Sequence, residues 1–199
     1  MQRVVSNRFL AIDPGTREMG IAVLEGTKLV YHGVLVIRRG KSPRETLERA
    51  CKSVARLIED FRPQVLAIEK TFVRRNRHTA LLNVVADEIV VLAKQSRLQV
   101  IGLSPSAVKK GICGDGWASK EEVAKAVLTR FPELKAYLVH ERKWKERFHA
   151  NMFDAVALGV VAQQHQNGFP KQVSARLRFQ AEESSLERAG SGRQHHQLL

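Results

Sequence analysis

The chain has 199 residues, of which 44% are hydrophobic, and a formal net charge of +13. This length suits one domain with a short extension. The charge favours a polyanionic partner, nucleic acid before an anionic membrane surface. No apolar run approaches the ~20 residues that span a bilayer, and the N-terminus lacks a signal-peptide pattern. The two cysteines lie outside any CxxC spacing, which excludes a disulfide framework and indicates a reducing, cytoplasmic setting.

The first part of the chain predicts three strands and a helix. Apolar runs at 8–13, 19–25 and 28–37, separated by short turns, indicate an antiparallel meander. Ser42 is a helix cap and Pro43 suits a first helical turn. Apolar residues then recur at helical spacing as far as Phe61, so an amphipathic helix follows the meander.

The remaining elements alternate between strands and helices. The pattern predicts strands at 65–69 and 98–103, and helices at 78–97, 105–110, 120–130 and 149–165, the last one amphipathic. Ser119 and Glu122 form a capping-box pattern before the helix at 120–130. This order predicts an α/β fold with a mixed five-stranded sheet flanked by helices on both faces.

The composition changes near residue 166. We expect one domain over 1–166, and a polar, basic and disordered tail over 167–199. The tail has five Lys or Arg residues and three Asp or Glu residues, so +11 of the net charge of +13 belongs to the domain. The domain is therefore the part expected to bind a polyanion.

Three acidic residues end or interrupt apolar elements. Asp13 ends the first strand, Glu69 ends the fourth, and Asp154 lies inside the last helix. If the first and fourth strands are parallel neighbours, Asp13 and Glu69 meet at the sheet edge where α/β proteins bind ligands, and a covering helix brings Asp154 there. The alternatives are a turn-forming Asp13, a solvated Glu69, and an Asp154 paired with a nearby arginine.

Converging carboxylates repel one another unless a cation lies between them. Hard divalent cations take oxygen ligands, and two such ions about 4 Å apart can clamp the attacking and leaving oxygens of a phosphodiester. The pattern therefore predicts a metal site that acts on a polyanionic substrate.

The chain contains four notable segments in this order: "LAIDPGTREMGIAVL", "VLAIEKTFVRRN", "PSAVKKGICGDGWASKEEV" and "NMFDAVALGV". With these segments, residues 8–165 resemble the RuvC-type Holliday junction resolvases of the RNase H-like superfamily. The resemblance implies a homodimeric, Mg²⁺-dependent endonuclease, with Mn²⁺ as an alternative ion and one or two ions per subunit. Its substrate would be four-way junction DNA, cut by paired symmetric nicks. It also implies a bacterial, nucleoid-associated location and RuvA and RuvB branch-migration proteins as partners.

The resemblance assigns roles to individual residues. It places the metal site on Asp13, Glu69 and Asp154, and it puts the supporting lysines at Lys109, beside Lys110, and at Lys120. Phe72 takes the family's aromatic position near the junction centre, with a core aromatic as the alternative. The cluster Arg74, Arg75, Arg77 and His78 is expected to contact phosphates, with a solvated loop as the alternative. Trp117 and Trp144 are read as either nucleic-acid contacts or packing residues.

One position departs from the family pattern. Three residues before the last acid, the family commonly has a further acid or a histidine, and this chain has Asn151. An amide oxygen can ligate Mg²⁺ without adding charge. We expect Asn151 to complete the site, and His149 is the alternative if the helix starts late. Because of this departure, a catalytically weakened branched-DNA-binding protein is a rival interpretation, as is an RNA-processing nuclease of the superfamily. The related ATPase branch is disfavoured, since no second glycine-rich phosphate loop is present.

Overall fold

The computed structural model describes residues 7–38, 40–70, 77–138 and 143–168, without the side chains of 77–79, 143–148, 167 and 168. The chain divides into two units, Met1–Gln163 and Gln164–Leu199. Of the second unit only 164–168, the end of the last helix, are described, so the domain and tail boundaries stay a prediction. In the described ranges, no helix has the length and apolar character needed to cross a membrane.

The elements follow the predicted order. The strands are β1 (Arg8–Asp13), β2 (Glu18–Glu25), β3 (Lys28–Val36), β4 (Val65–Glu69) and β5 (Gln99–Leu103). The helices are α1 (Pro43–Phe61), α2 (Arg77–Gln95), α3 (Pro105–Cys113), α4 (Lys120–Arg130) and α5 (Lys143–Gly168), with a 3₁₀ helix at Pro132–Tyr137 between α4 and α5.

The sheet has the order β3-β2-β1-β4-β5. β1 pairs antiparallel with β2 and parallel with β4, and β4 pairs parallel with β5. The mixed five-stranded sheet is thus confirmed. Its two central strands, β1 and β4, run in the same direction, so their carboxyl ends lie side by side at one edge.

Alternation along the strands divides the core between the two faces of the sheet. Leu10, Ile12, Leu66 and Ile68 pack with α1 and α2. Phe9, Ala11, Val65 and Ala67 face the other way and pack with α3, α4, the 3₁₀ helix and α5. The fold therefore has three layers, with the sheet in the middle.

Several predicted helix boundaries are wrong. α2 ends at Gln95 rather than at residue 97, and α5 ends at Gly168 rather than at residue 165. α3 continues past Lys110 to Cys113 and is capped by Gly114. Gly111 packs against α5, where an added Cβ would come within 2.6 Å of a Val161 methyl. α5 begins at Lys143 rather than at residue 149.

The last helix is also not amphipathic in its central part. Residues 152–163 are buried with the exception of Asp154. Because α5 packs within a cluster that includes the sheet, α3, α4 and the 3₁₀ helix, it has apolar neighbours on several sides. A partly buried acidic residue in such an apolar stretch is a departure that points to function.

Candidate active site

Asp13 and Glu69 end the two central parallel strands. Ile12 of β1 lies opposite Ile68 of β4, so the two acids that follow are neighbours at the carboxyl edge of the sheet. By strand alternation, both side chains belong to the sheet face that α5 covers, since residues 9, 11, 65 and 67 pack there. The predicted meeting of these two strand ends is confirmed.

α5 approaches the sheet beside Asp13. Asp13 pairs with Gly20 of β2, and a Cβ added at Gly20 would lie 1.8 Å from the carbonyl oxygen of Asn151. The helix backbone can therefore rest on the strand only where a side chain is missing. Asp154 follows Asn151 by three residues and so lies on the same face of the helix. Gly20 was not among the predicted site residues, although an isolated glycine inside a strand is a signal of close backbone approach.

The acids influence one another electrostatically. The pKa of Asp13 is raised from 3.8 to about 8, first by burial and then by the negative charges of Glu69 and Asp154. The pKa of Glu69 is raised from 4.5 to about 7 by burial and by Asp154. Lys120 opposes both increases. Three carboxylates drawn from β1, β4 and α5 thus share one partly desolvated environment.

Lys120 is the cation nearest to this group of acids in the described part of the chain. It is the first residue of α4, and its Nζ donates a hydrogen bond of 3.0 Å to Oδ2 of Asp154. Burial disfavours its charged form, but the interactions with Asp154, Asp13 and Glu69 outweigh burial and raise the pKa of Lys120. The lysine therefore stays protonated at neutral pH and partly balances the acids.

The other lysines named from the sequence lie on α3. Lys109 is half-buried and lowers the pKa of Glu69, so its ammonium group is close enough to act on the acidic group. Lys110 is exposed. The structure thus places Lys109 near the acids and leaves Lys110 on the surface beside them.

The donor chemistry of Asp13, Glu69 and Asp154 fits a hard divalent cation. Carboxylate oxygens are the ligands that Mg²⁺ prefers, and bound positive charge would relieve the repulsion that raises the pKa values of Asp13 and Glu69. Within the described ranges, no group of three or more His, Cys, Asp or Glu side chains has the spacing of a metal site.

The two alternatives for a fourth ligand differ in their surroundings. Asn151 is half-buried, one helical turn before Asp154. The condition for His149, a helix that starts late, is not met, because α5 begins at Lys143. The His149 ring packs edge-to-face on Tyr137, with 5.1 Å between ring centroids. This geometry favours Asn151 over His149 as the candidate for the fourth ligand.

Several predicted DNA contacts lie outside the described residues. Phe72, Arg74 and Arg75 belong to a segment that is not described, and the side chains of Arg77, His78 and Trp144 are not described either. Trp117 is described, and its packing interpretation is wrong: the side chain is 92% exposed.

The β3-β2-β1-β4-β5 sheet with helices on both faces is an RNase H-like fold, and it carries acids on the two central strand ends and a third on the covering helix. The family model described as "Crossover junction endodeoxyribonuclease RuvC" matches residues 9–162. The chain belongs to this RuvC family, whose nucleases depend on divalent metal ions.

Curated relatives agree with this assignment. The crossover junction endodeoxyribonuclease RuvC of Halorhodospira halophila is 37% identical over 120 residues, which cover 58% of this chain and 72% of the relative. The enzyme of the same name from Marinobacter nauticus is 36% identical over 137 residues, covering 64% of this chain and 78% of the relative.

Solved structures confirm the fold. RuvC of Thermus thermophilus in complex with a Holliday junction substrate superposes with a TM-score of 0.63 at 26% identity, covering 78% of this chain and 92% of the other. The yeast mitochondrial Holliday junction resolvase Ydc2 superposes with a TM-score of 0.61 at 14% identity, covering 78% of this chain and 77% of the other. At this identity the likeness supports the fold alone.

Proposed function

We propose that this chain is an endonuclease that resolves four-way DNA junctions by paired, symmetric nicks, using Asp13, Glu69, Asp154 and Lys120. The observation that carries the proposal is the acidic group at the carboxyl edge of β1 and β4, covered by α5, in a chain of the RuvC family. A net charge of +13 supports a polyanionic substrate.

Asp13, Glu69 and Asp154 would hold Mg²⁺, or Mn²⁺ in its place, as one or two ions per subunit, and Asn151 would add a neutral oxygen ligand. When bound, the metal activates water and offsets the negative charge that develops on the phosphodiester. Because burial and mutual repulsion keep protons on Asp13 and Glu69 near neutral pH, these two residues must release protons when they become ligands.

Lys120 supplies the positive charge that the acids need before substrate arrives. Its Nζ holds Asp154 in place and carries a proton that it can donate to a phosphate oxygen. Charge-assisted hydrogen bonds of this kind stabilise charge that appears in the transition state. Lys120 is therefore a catalytic residue in this proposal.

The surface around the acids would bind the DNA backbone. Lys109 and Lys110 on α3 flank the site. The residues expected to complete the surface are Phe72, Arg74, Arg75 and Arg77. Phe72 would stack on an unpaired base and the arginines would contact phosphates.

Paired nicks require two sites, which a symmetric homodimer supplies. On α2, Val84 and Val91 are each 45% exposed and lie two turns apart on one face, which supports α2 as the dimer surface. RuvA and RuvB remain the proposed branch-migration partners, and the proposed setting is chromosomal DNA in the bacterial nucleoid.

A catalytically weakened branched-DNA-binding protein is the second candidate function. The observation that favours it is Asn151, a neutral residue where the family pattern commonly has an acid or a histidine. An RNA-processing nuclease with the same fold is the third. Both predict a different product pattern from that of a resolvase.

The test is a cleavage assay with the full chain on labelled four-way junction, linear duplex and structured RNA, in Mg²⁺ and in EDTA. A resolvase should nick the four-way junction symmetrically in Mg²⁺ but not in EDTA, and it should leave the linear duplex and the RNA intact. Binding without product would support the weakened protein, and cleaved RNA with an intact junction would support the RNA nuclease. Either result would contradict the proposal.

A further inference from the structure

Trp117 is far more exposed than any other large hydrophobic side chain that the structure describes. Its side chain is 92% exposed, whereas the next, Val36, is 57% exposed. Leaving an indole in water forgoes one of the largest gains that burial of a side chain offers. Such a residue therefore points to a contact with a partner rather than to stability of the fold.

The loop that carries Trp117 is anchored on both sides. Gly114 ends α3 with φ at +81°, and its N–H donates to the carbonyl of Lys110 at 2.9 Å. The Trp117 N–H donates to Oδ1 of Asp115 at 3.0 Å, and the next residue, Ala118, is buried. The backbone on either side of the indole is thus fixed while the indole itself projects from the protein.

Trp117 is close to the acidic group along the chain. Lys120, which binds Asp154, follows it by three residues. Three residues span at most about 11 Å even when fully extended. The backbone at Trp117 therefore lies within about 11 Å of the backbone of the residue that contacts Asp154.

The charges around Trp117 suit a nucleic-acid strand. Lys109 and Lys110 lie on α3 and Lys120 opens α4, so lysines flank the loop on both sides. The loop carboxylate of Asp115 accepts a hydrogen bond from the Trp117 backbone. The carboxylate of Glu122 accepts one from the Ser119 backbone in the capping box. These two acids make local hydrogen bonds with the backbone, and a third acid, Glu121, is exposed in the first turn of α4.

We propose that Trp117 stacks on a DNA base near the cleaved phosphodiester and so positions the strand in the site. An indole offers a flat apolar face to any base, and neighbouring lysines can bind the adjoining phosphates. The inference rests on the proposed function, because it needs a DNA strand at the acidic group. It assigns a base contact to the loop between α3 and α4.

Junction binding by variants of the full chain tests the contact. Without divalent metal, Trp117→Ala should weaken binding of a labelled four-way junction about tenfold, Trp117→Leu about as much, and Trp117→Phe much less. The matched control is Val36→Ser, which removes an exposed apolar side chain from β3 and should leave affinity unchanged. Thermal unfolding of Trp117→Ala should match that of the wild type, because the indole is exposed.

Tryptophan emission gives a second readout. In a Trp144→Phe chain, Trp117 is the remaining tryptophan of the two, and stacking should quench its emission when the junction saturates the protein. Unchanged emission, or wild-type affinity in Trp117→Ala or Trp117→Leu, would overturn the stacking contact. So would a change of oligomeric state in Trp117→Ala by light scattering, since the indole would then contact a second copy.

The two proposals fail in different ways. If the wild-type chain does not bind the junction, the proposed function fails and the stacking contact fails with it. If the wild type binds tightly and Trp117→Ala binds equally well, only the stacking contact fails.

Discussion

Nζ of Lys120, the first residue of α4, lies 3.0 Å from Oδ2 of Asp154 on α5 and joins two helices at the acidic group. The ammonium group also lowers the pKa values of Asp13 and Glu69, so it acts on all three acids. A positive residue at a helix N-terminus is unfavourable with respect to the helix dipole. The interaction with the acids explains its presence there.

Replacing Lys120 by Met should impair cleavage much more than DNA binding. Loss of the cation removes charge stabilisation from the transition state, and we expect a fall in cleavage rate of about 100-fold or more. The pKa values of Asp13 and Glu69 should rise further, so the remaining activity should require a higher pH. The measurement is single-turnover junction cleavage over a pH series, with binding measured in parallel.

Lys125→Met is the control for this variant, because Lys125 is exposed on the same helix. It should leave rate and pH profile unchanged. If Lys120→Met cleaved at the rate of Lys125→Met, Lys120 would have no catalytic role.

Stability of the metal-free protein should depend on pH through Asp13. Its pKa is about 8 when folded and 3.8 ordinarily, so between these values the folded state holds a proton that the unfolded state has lost. The free energy of unfolding contributed by this group therefore falls as pH rises, and is lowest above pH 8. Glu69, with a pKa of about 7, acts in the same direction.

Asp13→Asn should accordingly raise Tm in EDTA at pH 8.5 by several degrees, since about 1 kcal/mol corresponds to 2–4 °C in a chain of this size. The gain should shrink as the pH is lowered toward 4. Asp60→Asn, exposed on α1 and away from the proposed dimer surface, is the matched control. Parallel Tm curves for the wild type and Asp13→Asn across this pH range would contradict the assigned environment.

Gly20→Ala should destabilise the fold and disturb the site together. The added Cβ would meet the carbonyl oxygen of Asn151 at 1.8 Å, and backbone cannot yield as a side-chain tip can. We expect a loss of about 3 kcal/mol in the free energy of unfolding, at the upper end of overpacking costs. Cleavage should fall as well, because α5 carries Asp154.

Gly33→Ala is the comparison for this variant. Gly33 also lies in a strand, but its nearest neighbour would be Oη of Tyr31 at 3.5 Å, an ordinary contact. In denaturant unfolding, the free energy of unfolding of Gly33→Ala should be close to that of the wild type. Equal stabilities for the two variants would show that α5 does not depend on Gly20.

Asn151→Asp should lower the Mg²⁺ concentration needed for half-maximal cleavage by roughly threefold or more, because a charged oxygen ligand binds Mg²⁺ more tightly than an amide. Asn151→Ala should raise that concentration. A Mg²⁺ titration of the cleavage rate measures both. Identical Mg²⁺ titrations for the two variants would show that Asn151 is not a metal ligand.

The positions of two of the three acids could be predicted because simple rules fix them. Apolar runs that end in Asp13 and Glu69 mark strand ends, and a mixed sheet built from an antiparallel meander followed by βαβ units allows β1 and β4 to be parallel neighbours. Alternation along each strand then puts both acids on one face. The helix N-caps at Ser42 and Ser119 could also be predicted, because a cap depends on residues adjacent in sequence.

Features that depend on tertiary packing could not be predicted. The close packing of Gly111 against Val161 of α5 and the burial of α5 on several sides both depend on elements distant in sequence. The exposure of Trp117 is of the same kind, because the loop sequence alone suits a buried or an exposed indole. The roles predicted for Phe72, Arg74 and Arg75 stay predictions, since those residues are not described.

Cleavage of a four-way junction by Asp13→Asn tests the central claim most directly. The variant keeps the shape of the side chain and removes the charge that would bind metal. We expect the variant to bind the junction with wild-type affinity in EDTA and to give no nicks in Mg²⁺ above those of a protein-free reaction. Nicking at the wild-type rate would contradict the assignment of the active site to Asp13, Glu69 and Asp154.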